Sequence, residues 1–366
     1  MRVLALVTDA FGGYGGIARY NADLFDALAA GSANHEILVL PRIGEDRVFE
    51  MRGNLRQLRP VLARIPFAMR AMRHALRWKP DIVYCGHIYH GPLAVLLAKL
   101  TGAKLVSQLH GTEVWKSLPR RHLRPLQLSD LVLCVSRDTK ARYAMQADGC
   151  RNSFVLANTV APAFKPGDRQ HARKQYDLGT SLAMLSVSRL DTRDGYKGHD
   201  RVIAALPQLG RETGTEVVYL IAGEGEDRTR LERLARQYGV AEQVRFLGRV
   251  SEANLPDLYR AADLLVLPST GEGFGIVYLE ALACGTPALG LAIGGVSDPL
   301  SDGELGTLVP ADGELVPAIV AALSSEKPDP WELSGSVRAR FGIDAFSKRV
   351  AQAFDRLINN DQEISI

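Results

Sequence analysis

Gly271-Glu272-Gly273-Phe274-Gly275-Ile276-Val277-Tyr278-Leu279-Glu280-Ala281-Leu282-Ala283-Cys284-Gly285 decides how this chain is read. An apolar run, Leu264 to Leu267, precedes it and closes at Pro268 and Ser269, and a helix-like pattern follows and stops at Gly285. The stretch is therefore a strand, a glycine-rich turn and a helix. Small residues at Gly271, Gly273 and Gly275 let backbone approach a ligand closely, and the free N–H groups of a first helical turn form an anion site. Two carboxylates frame the turn, Glu272 inside it and Glu280 further on. If the whole interval is helical, a rise of about 1.5 Å per residue sets them roughly 12 Å apart. The paired carboxylates of a glycoside hydrolase stand about 5 to 9.5 Å apart. The wider spacing suits one extended ligand with hydroxyls at both ends and an anion in the middle, which describes a nucleotide sugar. A glycine-rich connector before a core helix, with solvated glutamates, is the plainer alternative for this stretch alone.

A chain of 366 residues exceeds the usual size of one core, so two domains are expected. Hydrophobic residues make up 46% and charged residues 23%, and no apolar run approaches the length of a membrane span. The start, Met1 to Leu6, reads straight into a strand instead of a signal peptide, so a cytoplasmic protein is expected, held to a membrane at most by its surface. Cys85, Cys134, Cys150 and Cys284 lack C-x-x-C spacing and read as buried free thiols, with no metal site among them. The net charge of +3 is ordinary, but from Arg52 to Lys79 there are eight cations and no Asp or Glu. No nucleic-acid motif accompanies that run, so nucleic acid is not an expected partner.

Short apolar runs alternate with helical patterns twice over. In the first half strands are expected at Arg2 to Val7, Glu36 to Leu40, Asp81 to Tyr84, Lys104 to Gln108, Leu131 to Val135 and Ser153 to Leu156, with a helix from Gly15 to Ala29 and a long basic helix or helix pair from Leu55 to Trp78. Ala161 to Asp168, with two prolines and a glycine, breaks the pattern. The alternation restarts at Ala183 to Val187. Near-continuous apolar strands separated by helices imply parallel sheets covered on both faces, with the ligand at the carboxyl ends of the strands in a cleft between lobes. The expected division is 1–163, 164–343, and a last helix within 344–366 that returns to the first lobe.

Three further stretches lie at expected strand ends. Ser188-Arg189-Leu190 closes a strand and Lys197-Gly198-His199 opens a helix, so a guanidinium and an ammonium eight residues apart can converge on one pyrophosphate, with surface charges in a loop as the plainer alternative. Ala222-Gly223-Glu224-Gly225 offers another glycine turn, where backbone at Gly223 can approach a ligand. Near the start, Phe11-Gly12-Gly13-Tyr14-Gly15-Gly16-Ile17 departs from the G-x-G-x-x-G spacing of a dinucleotide site, which argues against an oxidoreductase. Ser107-Gln108-Leu109-His110-Gly111-Thr112-Glu113 leaves His110 at a strand lip, as a packing residue or as a partner for a sugar hydroxyl or phosphate.

Together these pieces resemble the retaining glycosyltransferases of family GT4, which have the GT-B fold. The resemblance rests on GGYGG, SQLHGTE, SRL followed by YKGHD, AGEGED, VRFLGRV, ADLLVLPS and EGFGIVYLEALACGTP, spanning residues 3 to 310. It implies an α/β protein of two Rossmann-like lobes facing a central cleft. Gly15 and Gly16 then face donor phosphates, Arg189 and Lys197 bind the pyrophosphate, and Glu280 holds the ribose hydroxyls. Glu272, with the backbone of Phe274, Gly275 and Ile276, grips the donor sugar, and His110 contacts it from the other lobe. Arg245, Phe246 and Leu247 present backbone to the base. Where many relatives have N-G-V-D at the end of the first lobe, this chain has Asn158-Thr159-Val160-Ala161.

The expected activity is metal-independent transfer of a hexose, mannose or glucose, from a GDP- or UDP-sugar to a sugar acceptor, a lipid-linked one favoured, with no cofactor. A GT-B nucleotide-sugar 2-epimerase and a silent nucleotide-sugar-binding subunit are the alternatives. The basic run, with Arg70, Arg73 and Arg77, is either a solvated helix or an acceptor-side contact with anionic membrane.

Overall fold

The computed structural model describes residues 1–147, 149 and 152–359. Cys150 and residues 360–366 of the expected third segment lie outside the described residues. The chain divides into two compact units, 1–159 together with 343–366, and 160–342.

The first unit runs β1 (Arg2–Val7), α1 (Gly16–Gly31), β2 (Glu36–Pro41), β3 (Phe49–Arg52), β4 (Leu55–Gln57), α2 (Arg64–Trp78), β5 (Ile82–Cys85), α3 (Gly91–Thr101), β6 (Lys104–Leu109), α4 (Arg120–Gln127), β7 (Leu131–Cys134), α5 (Arg137–Gln146) and β8 (Ser153–Val155). Its eight strands are ordered β3-β4-β2-β1-β5-β6-β7-β8. All neighbours pair in parallel except β3 with β4.

The expectation of a helix from Leu55 fails here. Leu55 and Gln57 are buried with Arg56 exposed between them, a three-residue alternation that pairs with β2, and the helix begins only at Arg64. Leu55, Leu58 and Leu62 recur at helical spacing, and that coincidence hides the strand. Apolar residues of α2 and α3, among them Phe67, Ala71, Ala75, Ala94 and Leu97, join Leu4, Leu6, Leu40 and Val83 of the strands in one buried cluster.

The second unit runs α6 (Arg169–Gln175), β9 (Leu182–Val187), α7 (His199–Thr213), β10 (Val217–Ala222), α8 (Arg228–Gln237), β11 (Val244–Gly248), α9 (Leu255–Ala261), β12 (Leu264–Leu267), α10 (Ile276–Ala283), β13 (Ala288–Leu291), β14 (Thr307–Val309), α11 (Leu315–Ser324) and α12 (Pro330–Phe341). Six strands, all parallel, take the order β11-β10-β9-β12-β13-β14. The last helix, α13 (Ile343–Asn359), belongs to the first unit and packs on α1. Cys85, Cys134 and Cys284 are buried free thiols, and burial pushes Cys85 and Cys284 up to about 12.

Burial also keeps three imidazoles neutral. His90, His110 and His199 are each lowered from 6.5 to about 4. The folded chain then binds fewer protons than the unfolded chain in that window, so their contribution is complete above pH 6.5 and is lost as pH falls toward 4. Each adds a slope of up to about 1.4 kcal/mol per pH unit. Asp23 opposes them: burial outweighs its pairing with Arg19 and lifts it to about 6, so its contribution is complete below 3.8 and lost as pH rises through 6. Urea midpoints should fall steadily from pH 6.5 to 4.5, and a flat profile would contradict three buried neutral histidines.

Candidate functional site

In the second unit β9 pairs with β10 on one side and β12 on the other, so the chain order reverses between β9 and β12. Open α/β sheets bind ligands outside the carboxyl ends of the strands at such a switch point. Arg189 follows β9, Lys197 lies just before α7, and the Gly271 to Gly275 turn follows β12, so all three segments start from that end of the sheet.

Lys197 Nζ lies 2.5 Å from Glu272 Oε1, and both side chains are largely buried, 15% and 10% exposed. Little solvent screens that pair. The Glu272 backbone is fixed by Gly295, whose N–H donates to the Glu272 carbonyl at 2.8 Å. A Cβ on Gly294 would sit 2.8 Å from the same oxygen. The Lys197 loop is tied to the turn as well, Thr270 N–H donating to the Tyr196 carbonyl at 2.8 Å. Arg189 is 77% exposed, with its guanidinium 3.1 Å from the Asp194 carboxylate.

Helix α10 starts at Ile276, so only half of the interval from Glu272 to Glu280 is helical and the spacing expected from a continuous helix does not apply. Gly275, at φ +91, caps the helix in the left-handed region, where a Cβ would strike the Tyr278 ring at 2.6 Å. The Phe274 side chain is buried edge-on against Phe341, 6.1 Å between centroids, which leaves its backbone as the part that can serve a ligand. Glu280 is held by the Tyr259 hydroxyl, which donates to Oε2 at 2.7 Å. Tyr259 and Asp194 were not legible as site residues, because each acts across the fold on a residue distant in sequence or through a loop.

Gly223 has a reason to be glycine besides the one expected. A Cβ there would lie 1.8 Å from the Ser188 carbonyl, and one at Gly225 would lie 2.1 Å from the Leu190 carbonyl. The glycines of AGEGED let this loop close on the Ser188 to Leu190 segment. Beside it Gly223 N–H donates to the Gly248 carbonyl at 2.8 Å. Arg245, Phe246 and Leu247 lie half-buried in β11; the Arg245 guanidinium donates to the carbonyls of Tyr176 and Asp177, and Arg228 lies 5.4 Å from the centre of the Phe246 ring.

In the first unit β1 and β5 form the corresponding switch point. A Cβ on Gly15 or Gly16 would meet no atom within 4 Å. The loop before them is clasped by buried Gln57, which accepts from Phe11 N–H at 3.1 Å and donates to the Phe11 carbonyl at 2.8 Å. Asn21 adds a bond to the Asp9 carbonyl, 2.9 Å. His110 Nε2 is 3.0 Å from the Gly86 carbonyl. A neutral ring must donate there, which leaves Nδ1 as an acceptor. Glu113 accepts from the His110 N–H with both oxygens, 3.2 and 3.1 Å, and fixes the backbone at that lip.

Of the cations in the basic run, Arg64, Arg73 and Arg77 are exposed on α2, whereas Arg70 is half-buried and donates to the Arg59 carbonyl. Leu62, Ile65, Met69 and Leu76 are exposed on or beside the same helix. Among the described residues no helix is long and apolar enough to cross a membrane.

Residues 14–151 match the family model Glycosyltransferase Family 4, and residues 168–334 match Glycosyl transferases group 1. A GDP-mannose-dependent alpha-(1-6)-phosphatidylinositol monomannoside mannosyltransferase of Mycolicibacterium smegmatis is 37% identical over 65% of this chain and 65% of its own length. The chain thus spans just under two thirds of that relative. D-inositol 3-phosphate glycosyltransferase 1 of Catenulispora acidiphila is 31% identical over 76% of this chain and 71% of its own. In fold, the chain is similar to sucrose-phosphate synthase from Thermosynechococcus elongatus, with a TM-score of 0.81 at 22% identity over 99% of this chain and 100% of that one. The HepE protein of Anabaena, solved with UDP and glucose, gives 0.76 at 20% over 97% and 99%. With both halves matched in order and two parallel-sheet units in place, the chain belongs to the family 4 glycosyltransferases and has the GT-B fold.

Proposed function

We propose that this protein is a retaining, metal-independent hexosyltransferase that takes mannose or glucose from a GDP- or UDP-sugar and passes it to a sugar or polyol acceptor carried on a lipid. The observation that carries the reading is the set of charges at the β9/β12 switch point: Arg189 beside Asp194, Lys197 against Glu272, and the N-terminus of α10. Two cations and a helix N-terminus supply the charge that a departing diphosphate needs. Glu272 and the backbone of Phe274, Gly275 and Ile276 serve the hexose, and Glu280, steadied by Tyr259, serves the ribose. His110, with Nδ1 as acceptor, accepts a hydrogen bond from a sugar hydroxyl. Gly15 and Gly16 leave room for phosphate. The acceptor hydroxyl enters on the face the diphosphate leaves, and a phosphate oxygen takes its proton, so no protein nucleophile is required.

The names of the mannosyl- and inositol-glycosyltransferase relatives support a mannosyl donor and a polyol-containing acceptor. Thermal-shift screening against GDP- and UDP-sugars tests the donor, since a ligand at about 100 times its dissociation constant stabilises by about 2.7 kcal/mol. Donor turnover that needs no acceptor would point instead to the epimerase.

The lipid-linked acceptor is supported by α2 with its neighbours. Helices α2, α3 and α4 pack in that order and contain no Asp or Glu, and Leu96 and Leu100 of α3 are exposed, as are the apolar residues on or beside α2. Apolar side chains among cations suit the interface of an anionic bilayer, where each exposed cation contributes about 1 kcal/mol. The protein should co-sediment with phosphatidylserine-containing vesicles at low salt, and Arg64→Glu/Arg73→Glu/Arg77→Glu should abolish this with nucleotide affinity unchanged. Parent protein left in the supernatant would remove the membrane from the proposal.

A further inference from the structure

A row of hydrogen bonds leads from the site into the sheet of the second unit. Ser188 Oγ is 2.7 Å from His199 Nε2, and His199 Nδ1 is 2.9 Å from the Tyr219 hydroxyl. That hydroxyl is 2.7 Å from Ser186 Oγ, which donates to the Val266 carbonyl. His199, Tyr219 and Ser186 are buried, while Ser188 is half-buried at the end of β9.

Counting hydrogens fixes the direction of the row. Ser186 has one hydroxyl hydrogen and gives it to Val266, so it accepts from Tyr219. Tyr219, having given its hydrogen to Ser186, accepts from His199 Nδ1–H. Burial, reinforced by the Lys197 charge, keeps the imidazole neutral, so Nε2 is bare and accepts the Ser188 hydrogen at 2.7 Å, for which the Arg189 carbonyl, 3.0 Å from the same Oγ, is the longer alternative. His199, Tyr219 and Ser186 are each satisfied, and they are buried, where an unmade bond is costly.

What the row joins gives it a meaning beyond packing. Ser188 immediately precedes Arg189, and His199 stands two residues after Lys197. The Ser188–His199 bond is thus a side-chain link between the two segments that carry the cations, and Tyr219 and Ser186 anchor that link to β10, β9 and β12. A core that needed only bulk at these positions would be filled as well by apolar rings.

We propose that His199, held between Ser188 and Tyr219, is a positioning residue that fixes the separation of the Arg189 and Lys197 segments, so that both cations address one diphosphate. This rests on the reading of that site as a diphosphate site. His199 acts through the two loops and touches no substrate.

The test uses Ser188→Ala and Tyr219→Phe, which remove one hydroxyl each and keep the imidazole, in the full chain. Calorimetry with the free nucleoside and with its diphosphate separates the clamp from a general defect. Each variant should lose about three- to tenfold in affinity for the diphosphate, the worth of about one hydrogen bond, with affinity for the nucleoside unchanged. With the sugar donor, kcat should fall about tenfold with KM within about twofold. The double variant should be little worse than either single one, because both break the same row. Ser188→Thr, which keeps the hydroxyl, should recover most of the loss. Equal losses for nucleoside and diphosphate, or parental diphosphate affinity and kcat in Ser188→Ala, would overturn the clamp. If the parent transfers no sugar yet the diphosphate losses appear, the transferase reading fails and the clamp stands.

Discussion

Lys197→Ala is expected to lower turnover by about 10²- to 10³-fold, with a smaller change in KM for the nucleotide sugar. Negative charge on the leaving diphosphate grows toward the transition state, so an ammonium aimed at it stabilises that state more than the bound donor. The structure adds a reason for the effect to be large. Lys197 and Glu272 are mostly withdrawn from water, and the turn, the Gly294–Gly295 segment and the Tyr196 carbonyl hold both in place. Little reorganisation is then left for the moment of reaction. The substitution also leaves the Glu272 carboxylate without its partner, so the comparison should include Lys197→Ala/Glu272→Gln, which removes both charges. If steady-state kinetics with saturating acceptor give parental turnover for Lys197→Ala, the diphosphate is not where we place it.

Glu280→Gln should weaken the free nucleotide and the nucleotide sugar alike, by about 10- to 100-fold, since a hydrogen bond to a charged group is worth about 1.5–3 kcal/mol and the ribose is common to both ligands. Glu272→Gln should spare the free nucleotide and cost only the sugar-bearing donor. Tyr259→Phe should behave as a weaker Glu280→Gln, because it releases the carboxylate that Tyr259 holds at 2.7 Å. Calorimetric titrations in which the two glutamine variants are indistinguishable would end the division of labour between the carboxylates.

The stretch from Leu264 to Gly285 was legible because its signals are local: an apolar run, a glycine-rich turn, and an apolar helix that ends at a glycine. The same holds for Arg189 and Lys197, which fall at a strand end and a helix start. What escaped the sequence depends on pairing. Leu55 to Gln57 is too short a strand to show its alternation, and only β2 beside it makes it one. Gly223 and Gly225 also make room for the carbonyls of Ser188 and Leu190, which no spacing reveals. Nothing local marks Tyr219 or Ser186 either, since the bond between them spans 33 positions. Gln57 looked like a residue of a basic helix and instead clasps the loop after β1.

Helix α13 places Phe346, Val350, Ala353, Phe354 and Leu357 in buried positions of the first unit and packs on α1, while every residue of the second unit lies between it and β8. During synthesis, therefore, residues 160–342 are all available before the first unit has its last helix. Domains generally fold in the order in which they emerge, but here the unit encoded first is the one that finishes last. Until α13 arrives, the apolar surface of α1 that it will cover stays open on the nascent chain, a site for chaperone binding and for protease attack during translation.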